Sequence, residues 1–527
     1  MQLLYSEKHN AVAWPGIADP ERVAPAIPGS RVVKGVLVAP VNLIAQIAAA
    51  GLGLPVKSPI ETSYDWPRSP AIAKPFEKQK EMAAFLTTNL RCHNLAEPRT
   101  GKTLANLWAS DFLMMNDALK KALVVCPVGV MDVWVQNIGE HFPGRRRSCV
   151  LHAANPQSRR MKLKTEADYY IINFDGLKVE GIIEAIVDRG DISLVIVDES
   201  HNYRNPSNGR WKALHKLLKA LGNVPVWLNT GTPTPQEPTD AWGQQAIISK
   251  PTVSHRAFRN TVMRQVTAFK WVPVGNSDKI VGEFMQPAIR VRRTDCFDVP
   301  DVMYDPVHAQ PTPAQVKALD ALKKKMQTIM DSGAQITAVH EGALRTKILQ
   351  ILAGAVYDKD HVAHDIDAST RMQVLMDTLD GCDKKVVIYS SFTSVLTRLA
   401  RDLKKHYSVG VIHGDVPMKD RIEVIKAFQE EDDPRILVAD PRTVSEGQDF
   451  SRANRIIWYH PLDGGGNYVQ ANDRINGKNQ TDKMCITQIF VDPLEHAIYS
   501  RNQARQSLQN LVMAWVKGEG YGTQHVD

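Results

Sequence analysis

The chain has 527 residues, 43% of them hydrophobic and 23% charged, which suits roughly three or four domain-sized cores and excludes a disordered chain. Its net charge of +7 and pI near 8.9 permit a polyanionic partner without demonstrating one. Cys92, Cys126, Cys149, Cys296, Cys382 and Cys485 show no CxxC pair or zinc spacing, and no apolar run reaches the ~20 residues of a membrane helix, so buried free thiols in a soluble, cytosolic protein are expected.

Residues 1–70 are rich in Pro and Gly. They hold a strand candidate at 31–38 and an Ala-rich helix candidate, and they end in Tyr64-Asp65-Trp66-Pro67, which reads as a small accessory domain plus linker. From Pro75 to about Arg293 strands and helices alternate. Strand candidates at 91–95, 122–126, 169–173, 194–197 and 224–228 imply a doubly wound parallel sheet. Residues 311–356 are mostly helical in pattern and interrupt the rhythm. A second α/β series follows, with strand candidates at 385–389, 409–412, 435–439, 455–459 and 485–491, and a terminal helix is expected over 494–516. The expected fold is α/β: two tandem parallel-sheet lobes, a small α+β N-terminal domain and a helical insertion between lobes. The divisions fall at 1–70, 71–300, 301–366, 367–495 and a C-terminal helix and tail over 496–527.

Between the strand candidate at 91–95 and the apolar helical run at 104–113 lies Ala96-Glu97-Pro98-Arg99-Thr100-Gly101-Lys102-Thr103. This is GxxxxGK[ST] with Ala96 in the first glycine position. Backbone N–H groups of Arg99, Thr100 and Gly101 and the following helix N-terminus would face a triphosphate. Lys102 would reach its β and γ oxygens, and the Thr103 hydroxyl would join the magnesium shell. About a hundred residues later, the apolar run 194–197 delivers Asp198 and Glu199 to the carboxyl end of a buried strand, the edge at which open α/β sheets bind ligands. Asp198 would hold magnesium and Glu199 would orient and deprotonate an attacking water. The two segments together point to ATP hydrolysis with Mg2+. Two sheets with one phosphate loop suggest a motor rather than a small-molecule kinase, with Arg474 as the second lobe's cation for the γ-phosphate.

In order along the chain, Pro75-Phe76-Glu77-Lys78-Gln79, Val125-Cys126-Pro127 with Trp134, Asn173-Phe174-Asp175, Asp198-Glu199-Ser200-His201 and Thr230-Gly231-Thr232-Pro233 precede Met285-Gln286-Pro287 and Arg292-Arg293-Thr294. The second lobe adds Ile388-Tyr389-Ser390-Ser391-Phe392, His413-Gly414-Asp415, Ser445-Glu446-Gly447-Gln448-Asp449-Phe450 and Gln470-Ala471-Asn472-Asp473-Arg474. This ordered set resembles superfamily-two DEAD/DEAH-box-like helicases, specifically the Swi/Snf branch of DNA translocases in the compact form often encoded by phages. The resemblance runs from about Pro75 to Glu495. It implies two RecA-like lobes, with Gln79 reading adenine and Gly447 and Asp449 joining the nucleotide site. It further implies that Gln470 and Arg474 act on the γ-phosphate, and that His201, Thr230, Gly231 and Thr232 couple hydrolysis to nucleic-acid movement. The implied partner is DNA, duplex or branched and held through phosphates without sequence preference, in a bacterial or phage-infected cell. RNA as the track, oligomeric state and strand separation stay open.

Two departures stand out. Gly477 occupies the place of a second arginine in the last motif, where Lys478 could supply only a point charge, and this predicts a slow or tightly DNA-dependent ATPase. Arg99 stands where the branch commonly places glycine. The basic runs Arg145-Arg146-Arg147 and Arg159-Arg160 read equally as backbone contacts or solvated charge. The alternative function is a degenerate motor, a nucleotide-dependent nucleic-acid-binding scaffold with little turnover.

Overall fold

The structure is a computed structural model describing residues 2–504, except 68–74, 154, 236, 268–269, 297–301, 332–337, 359, 361, 445–447, 464, 477–479 and 481. The chain divides into two units, residues 1–298 and 299–527.

The first unit opens with an antiparallel sheet in the order β1-β2-β4-β3, made of β1 (Leu4–Ser6), β2 (Ala11–Trp14), β3 (Arg31–Val33) and β4 (Val36–Pro40). The single strand expected at 31–38 is a hairpin instead. Lys34 and Gly35 both take positive φ, 51° and 77°, which reverses the chain in two residues between Val33 and Val36. Asn42 caps α1 (Leu43–Gly51) by accepting from the Ala45 amide at 2.9 Å. Trp14, Leu37, Ala45 and Ala49 build a small core between this helix and the sheet.

The body of this unit is a seven-stranded parallel sheet in the order β13-β5-β10-β9-β6-β8-β7. In chain order its parts are α2 (Glu77–Thr88), β5 (Arg91–Asn94), α3 (Lys102–Met115), β6 (Lys121–Cys126), α4 (Met131–His141) and β7 (Ser148–Val150). Then come β8 (Tyr169–Asn173), β9 (Ile192–Val197), α5 (Gly209–Leu221), β10 (Val226–Asn229) and α6 (Asp240–Ile248). A hairpin, β11 (Met263–Thr267) with β12 (Lys270–Pro273), precedes the edge strand β13 (Ala288–Ile289). The continuous apolar runs are explained by burial on both faces. Leu194 and Ile196 of β9 enter one core with Trp108 and Trp134, while Val195 and Val197 enter the opposite one with Tyr203 and Leu214.

The second unit repeats this plan with six parallel strands in the order β14-β21-β20-β17-β19-β18. Its edge strand β14 (Val302–His308) pairs in register with β21 (Met484–Phe490), and α7 (Pro313–Asp331) and α8 (Ala338–Ala353) follow it. Leu319, Ile348 and Leu352 of these helices enter the core of this unit. A small hairpin, β15 (Ala355–Tyr357) with β16 (Ala363–Asp365), comes before β17 (Lys385–Tyr389). The sheet is completed by β18 (Val409–Ile412), β19 (Ile436–Ala439) and β20 (Ala453–Trp458). Val386 and Ile388 of β17 face one core, Val387 and Tyr389 the other. The terminal helix is described over Pro493–Gln503, and the expected remainder beyond residue 504 lies outside the described residues. Among the described residues no helix is long and apolar enough to cross a membrane.

Candidate active site

The phosphate loop leaves β5 at Asn94 and ends at Gly101, the N-cap of α3, with φ 82° and ψ 29°. Glycine is favoured there on two counts. The backbone is left-handed, and an added Cβ would lie 1.9 Å from Gln79 Nε2. Gln79 is held against the loop because its Oε1 accepts from the Phe76 amide at 2.9 Å. Thr100 Oγ1 donates to the Glu97 carbonyl at 2.8 Å, and Lys102 Nζ donates to the carbonyls of Ala96 and Glu97 at 2.7 and 3.0 Å. Arg99, half-buried, also takes a left-handed φ of 67°, so the position where the branch commonly has glycine keeps a glycine-like backbone. Segments that follow the neighbouring strands β13 and β10 frame the loop. The Glu97 amide donates to the Val291 carbonyl at 2.9 Å, and the Arg293 amide donates to Glu97 Oε2 at 3.0 Å. A Cβ on Gly231 would come within 2.6 Å of Pro98 Cδ.

The acidic pair sits at the carboxyl end of β9. Asp198 is 8% exposed, and both its carboxylate oxygens are engaged: Oδ1 accepts from the Glu199 amide and Oδ2 from Trp134 Nε1, each at 3.1 Å. Burial first, and the adjacent Glu199 charge second, push its pKa up to about 6, against the opposing pull of Lys102 and the Trp134 N–H. β5 and β9 both pair in parallel with β10, so the phosphate loop and the strand-end carboxylates emerge at the same edge of the sheet. Thr103 and Asp198 offer hydroxyl and carboxylate oxygens, the hard donors that fit Mg2+.

Glu199 has φ 49°, and its Oε2 lies 3.3 Å from His201 Nδ1. The same nitrogen is 3.2 Å from Thr230 Oγ1, which accepts from the Thr232 amide at 3.1 Å. A polar chain therefore joins the acidic pair to the turn after β10. Asn106 Nδ2, on α3, donates to Asn229 Oδ1 at 2.9 Å and ties that strand end to the phosphate-loop helix.

In the second unit Arg474 is 7% exposed. Its Nε donates to the Gln470 carbonyl and its Nη1 to the Gln448 carbonyl, both at 3.1 Å, so it joins the two motifs around it. Gln470 is half-buried, and Asp449 is exposed with its Oδ1 accepting from the Ser451 amide at 2.9 Å. Gly447, Gly477 and Lys478 lie outside the described residues.

Some of the basic residues read as possible backbone contacts have structural partners instead. Arg145 Nη2 and Arg146 Nε donate to the fully buried Asp111 at 2.5 and 2.7 Å, and Tyr64 Oη donates to the same carboxylate at 2.6 Å. Arg159 and Arg160 donate to the carbonyls of Ala153 and Glu180 at 3.0 and 2.8 Å. Arg147 is exposed. The signal for this cluster was present in the sequence: Asp111 is the one charge in the largely apolar stretch 104–115, and a charge at a buried helical position demands partners.

The chain matches the family described as SNF2-related domain over residues 84–330 and the one described as helicase conserved C-terminal domain over residues 370–476. It is 23% identical over 463 residues to putative protein p41 of Acyrthosiphon pisum secondary endosymbiont phage 1, covering 79% of this chain and 93% of that one. It is 25% identical over 386 residues to the SWI/SNF-related matrix-associated actin-dependent regulator of chromatin subfamily A-like protein 1 of Xenopus laevis, covering 69% of this chain and 36% of that one. It is 23% identical over 437 residues to the Mus musculus DNA annealing helicase and endonuclease ZRANB3, covering 78% of this chain and 38% of that one. The chain thus spans little more than a third of these two animal relatives.

Proposed function

Because the chain belongs to the Swi/Snf branch of superfamily-two helicases, an ATPase-type family, we propose that it is a DNA-dependent ATPase that couples hydrolysis to translocation along DNA and to remodelling of branched or protein-bound DNA. The observation that supports this reading is that β5 and β9 both pair in parallel with β10, so the phosphate loop and the acidic pair leave the same carboxyl edge of one sheet. Gln79 lies against the loop to read the base. Arg99, Thr100 and Gly101 present backbone amides to the phosphates, and Lys102 neutralises the β and γ oxygens. Bound Mg2+ would be held by Thr103 and Asp198 and would neutralise charge on the transferring phosphoryl group. Glu199 orients the attacking water and accepts its proton. Arg474 and Gln470 are assigned to the γ-phosphate, and Gly447 and Asp449 to the nucleotide. His201, Thr230, Gly231 and Thr232 carry the state of Glu199 to the track, a role supported by the polar chain from Glu199 Oε2 to Thr232.

The track is assigned to DNA because a relative is a DNA annealing helicase by name, and because phosphate contacts suit a motor that moves without reading sequence. The phage relative favours action in a bacterial or phage-infected cell. The reading is tested by triplex displacement beside strand displacement. Loss of a third strand from duplex DNA on adding ATP, absent in Lys102→Ala, is expected; no displacement on duplex or forked DNA would overturn translocation, and movement on RNA duplex alone would overturn the assignment of the track. The second reading, a scaffold with little turnover, is favoured by Arg474 already holding the carbonyls of Gln470 and Gln448.

A further inference from the structure

The buried stripe of α4 consists of Met131, Trp134, Ile138 and His141, spacings that place them on one face against the core. His141 packs edge-on against Trp108 of α3, with ring centroids 6.4 Å apart. Trp134 lies in the same core and is 1% exposed. A buried indole N–H needs an acceptor. Here the acceptor is no backbone carbonyl but Oδ2 of Asp198, at 3.1 Å.

We infer that Trp134 is a positioning residue for the site's divalent cation: its indole N–H fixes the Asp198 carboxylate in the orientation from which it binds Mg2+. This rests on the nucleotide-hydrolysis reading above. The Glu199 amide holds Oδ1 and the indole holds Oδ2, so the carboxylate plane is restrained from both ends. One hydrogen bond comes from β9's own continuation and the other from a different helix. A carboxylate oxygen has a second lone pair after accepting one hydrogen bond, and each oxygen therefore keeps ligating capacity while losing rotational freedom. Partners that orient a ligating group in this way commonly cost 10–100-fold in metal affinity or activity when removed. Because α4 follows Cys126-Pro127 at the carboxyl end of β6 after one 3-10 turn, Val128–Val130, the indole also makes the ion's seat depend on the placement of that helix.

The test is Trp134→Phe, which keeps a buried aromatic ring and deletes the N–H. Binding of a fluorescent ADP is titrated with Mg2+ and repeated in EDTA, with thermal melting alongside. The expected result is a Mg2+ half-saturation raised about tenfold or more with metal-free nucleotide affinity unchanged. Unchanged Mg2+ dependence, or an equal loss of metal-free and metal-dependent binding, overturns the inference and leaves Trp134 a packing residue. If the original protein binds no nucleotide in either condition, the hydrolysis reading falls and takes the inference with it. Should the phenylalanine variant not fold, 5-fluorotryptophan-labelled protein gives an independent readout by 19F NMR. The resonance displaced by Asp198→Ala is expected to shift on adding Mg2+ to nucleotide-bound protein, and its failure to move refutes the role.

Discussion

A methyl group at Gly101 would carry two separable penalties. The first is conformational: φ 82° and ψ 29° are left-handed, which costs a residue with a Cβ about 1–2 kcal/mol. The second is steric. The new Cβ would sit 1.9 Å from Gln79 Nε2 and 2.8 Å from its Cδ, so the carboxamide must leave, giving up its hydrogen bond to the Phe76 amide at about 1 kcal/mol. Gly101→Ala should therefore destabilise the first unit by about 2–3 kcal/mol, or roughly 3–5 °C in the melting transition of a unit of this size. Gln79→Ala removes the obstructing side chain but leaves the backbone strain. In that background the same substitution should cost only the first term, a coupling of about 1 kcal/mol in a double-mutant cycle. Calorimetry on the four proteins measures it. An unchanged melting temperature in Gly101→Ala would refute the strain argument, and equal costs in both backgrounds would refute the contact with Gln79.

Other consequences are as direct. His93, paired with Gln245, and His460, paired with Ser390, are fully buried, and burial pushes their pKa values down to about 4 and about 3. Each is neutral in the fold but gains a proton on unfolding below pH 6.5, so its contribution is complete above that pH and is lost as pH falls toward 4 and 3. The limits are about 3 and about 5 kcal/mol. Acid titration of unfolding should show both units weakening from pH 6.5 downward; stability flat to pH 4 would contradict this. Asp111→Asn strips two arginines and Tyr64 of their shared carboxylate and should cost about 3 kcal/mol by urea unfolding, at the low end for a broken buried pair because Arg145 retains water contact. A cost below about 1 kcal/mol would make the cluster incidental. Thr230→Ala removes the link from His201 and should reduce stimulation of hydrolysis by DNA more than basal hydrolysis, measured as the ratio of the two rates; an equal loss in both would argue against coupling through this chain.

The two parallel-sheet lobes were legible because strands such as 194–197 and 385–389 are unbroken apolar runs, the pattern forced by burial on both faces. The edge strands were not. Ala288-Ile289 and 302–308 owe their pairing to neighbours far away in sequence, on β5 and β21, and they carry no periodicity of their own strong enough to show it. The roles of Lys102, Asp198 and Glu199 could be proposed from spacing alone, since each lies at a fixed offset from a strand end. Trp134 could be named but given no chemistry, because nothing in sequence reveals which acceptor a buried indole meets. The Arg145-Arg146 run stayed open for the complementary reason: surface charge and partners of a buried carboxylate look alike until Asp111 is placed between them.

The central claim is that Lys102, Thr103, Asp198 and Glu199 form an ATPase site whose turnover depends on DNA. Steady-state phosphate release, measured with and without duplex, single-stranded and forked DNA, tests it most directly. The account predicts hydrolysis that rises several-fold with DNA and disappears in both Lys102→Ala and Glu199→Gln. Turnover that is indifferent to DNA, or that survives either substitution, would contradict it.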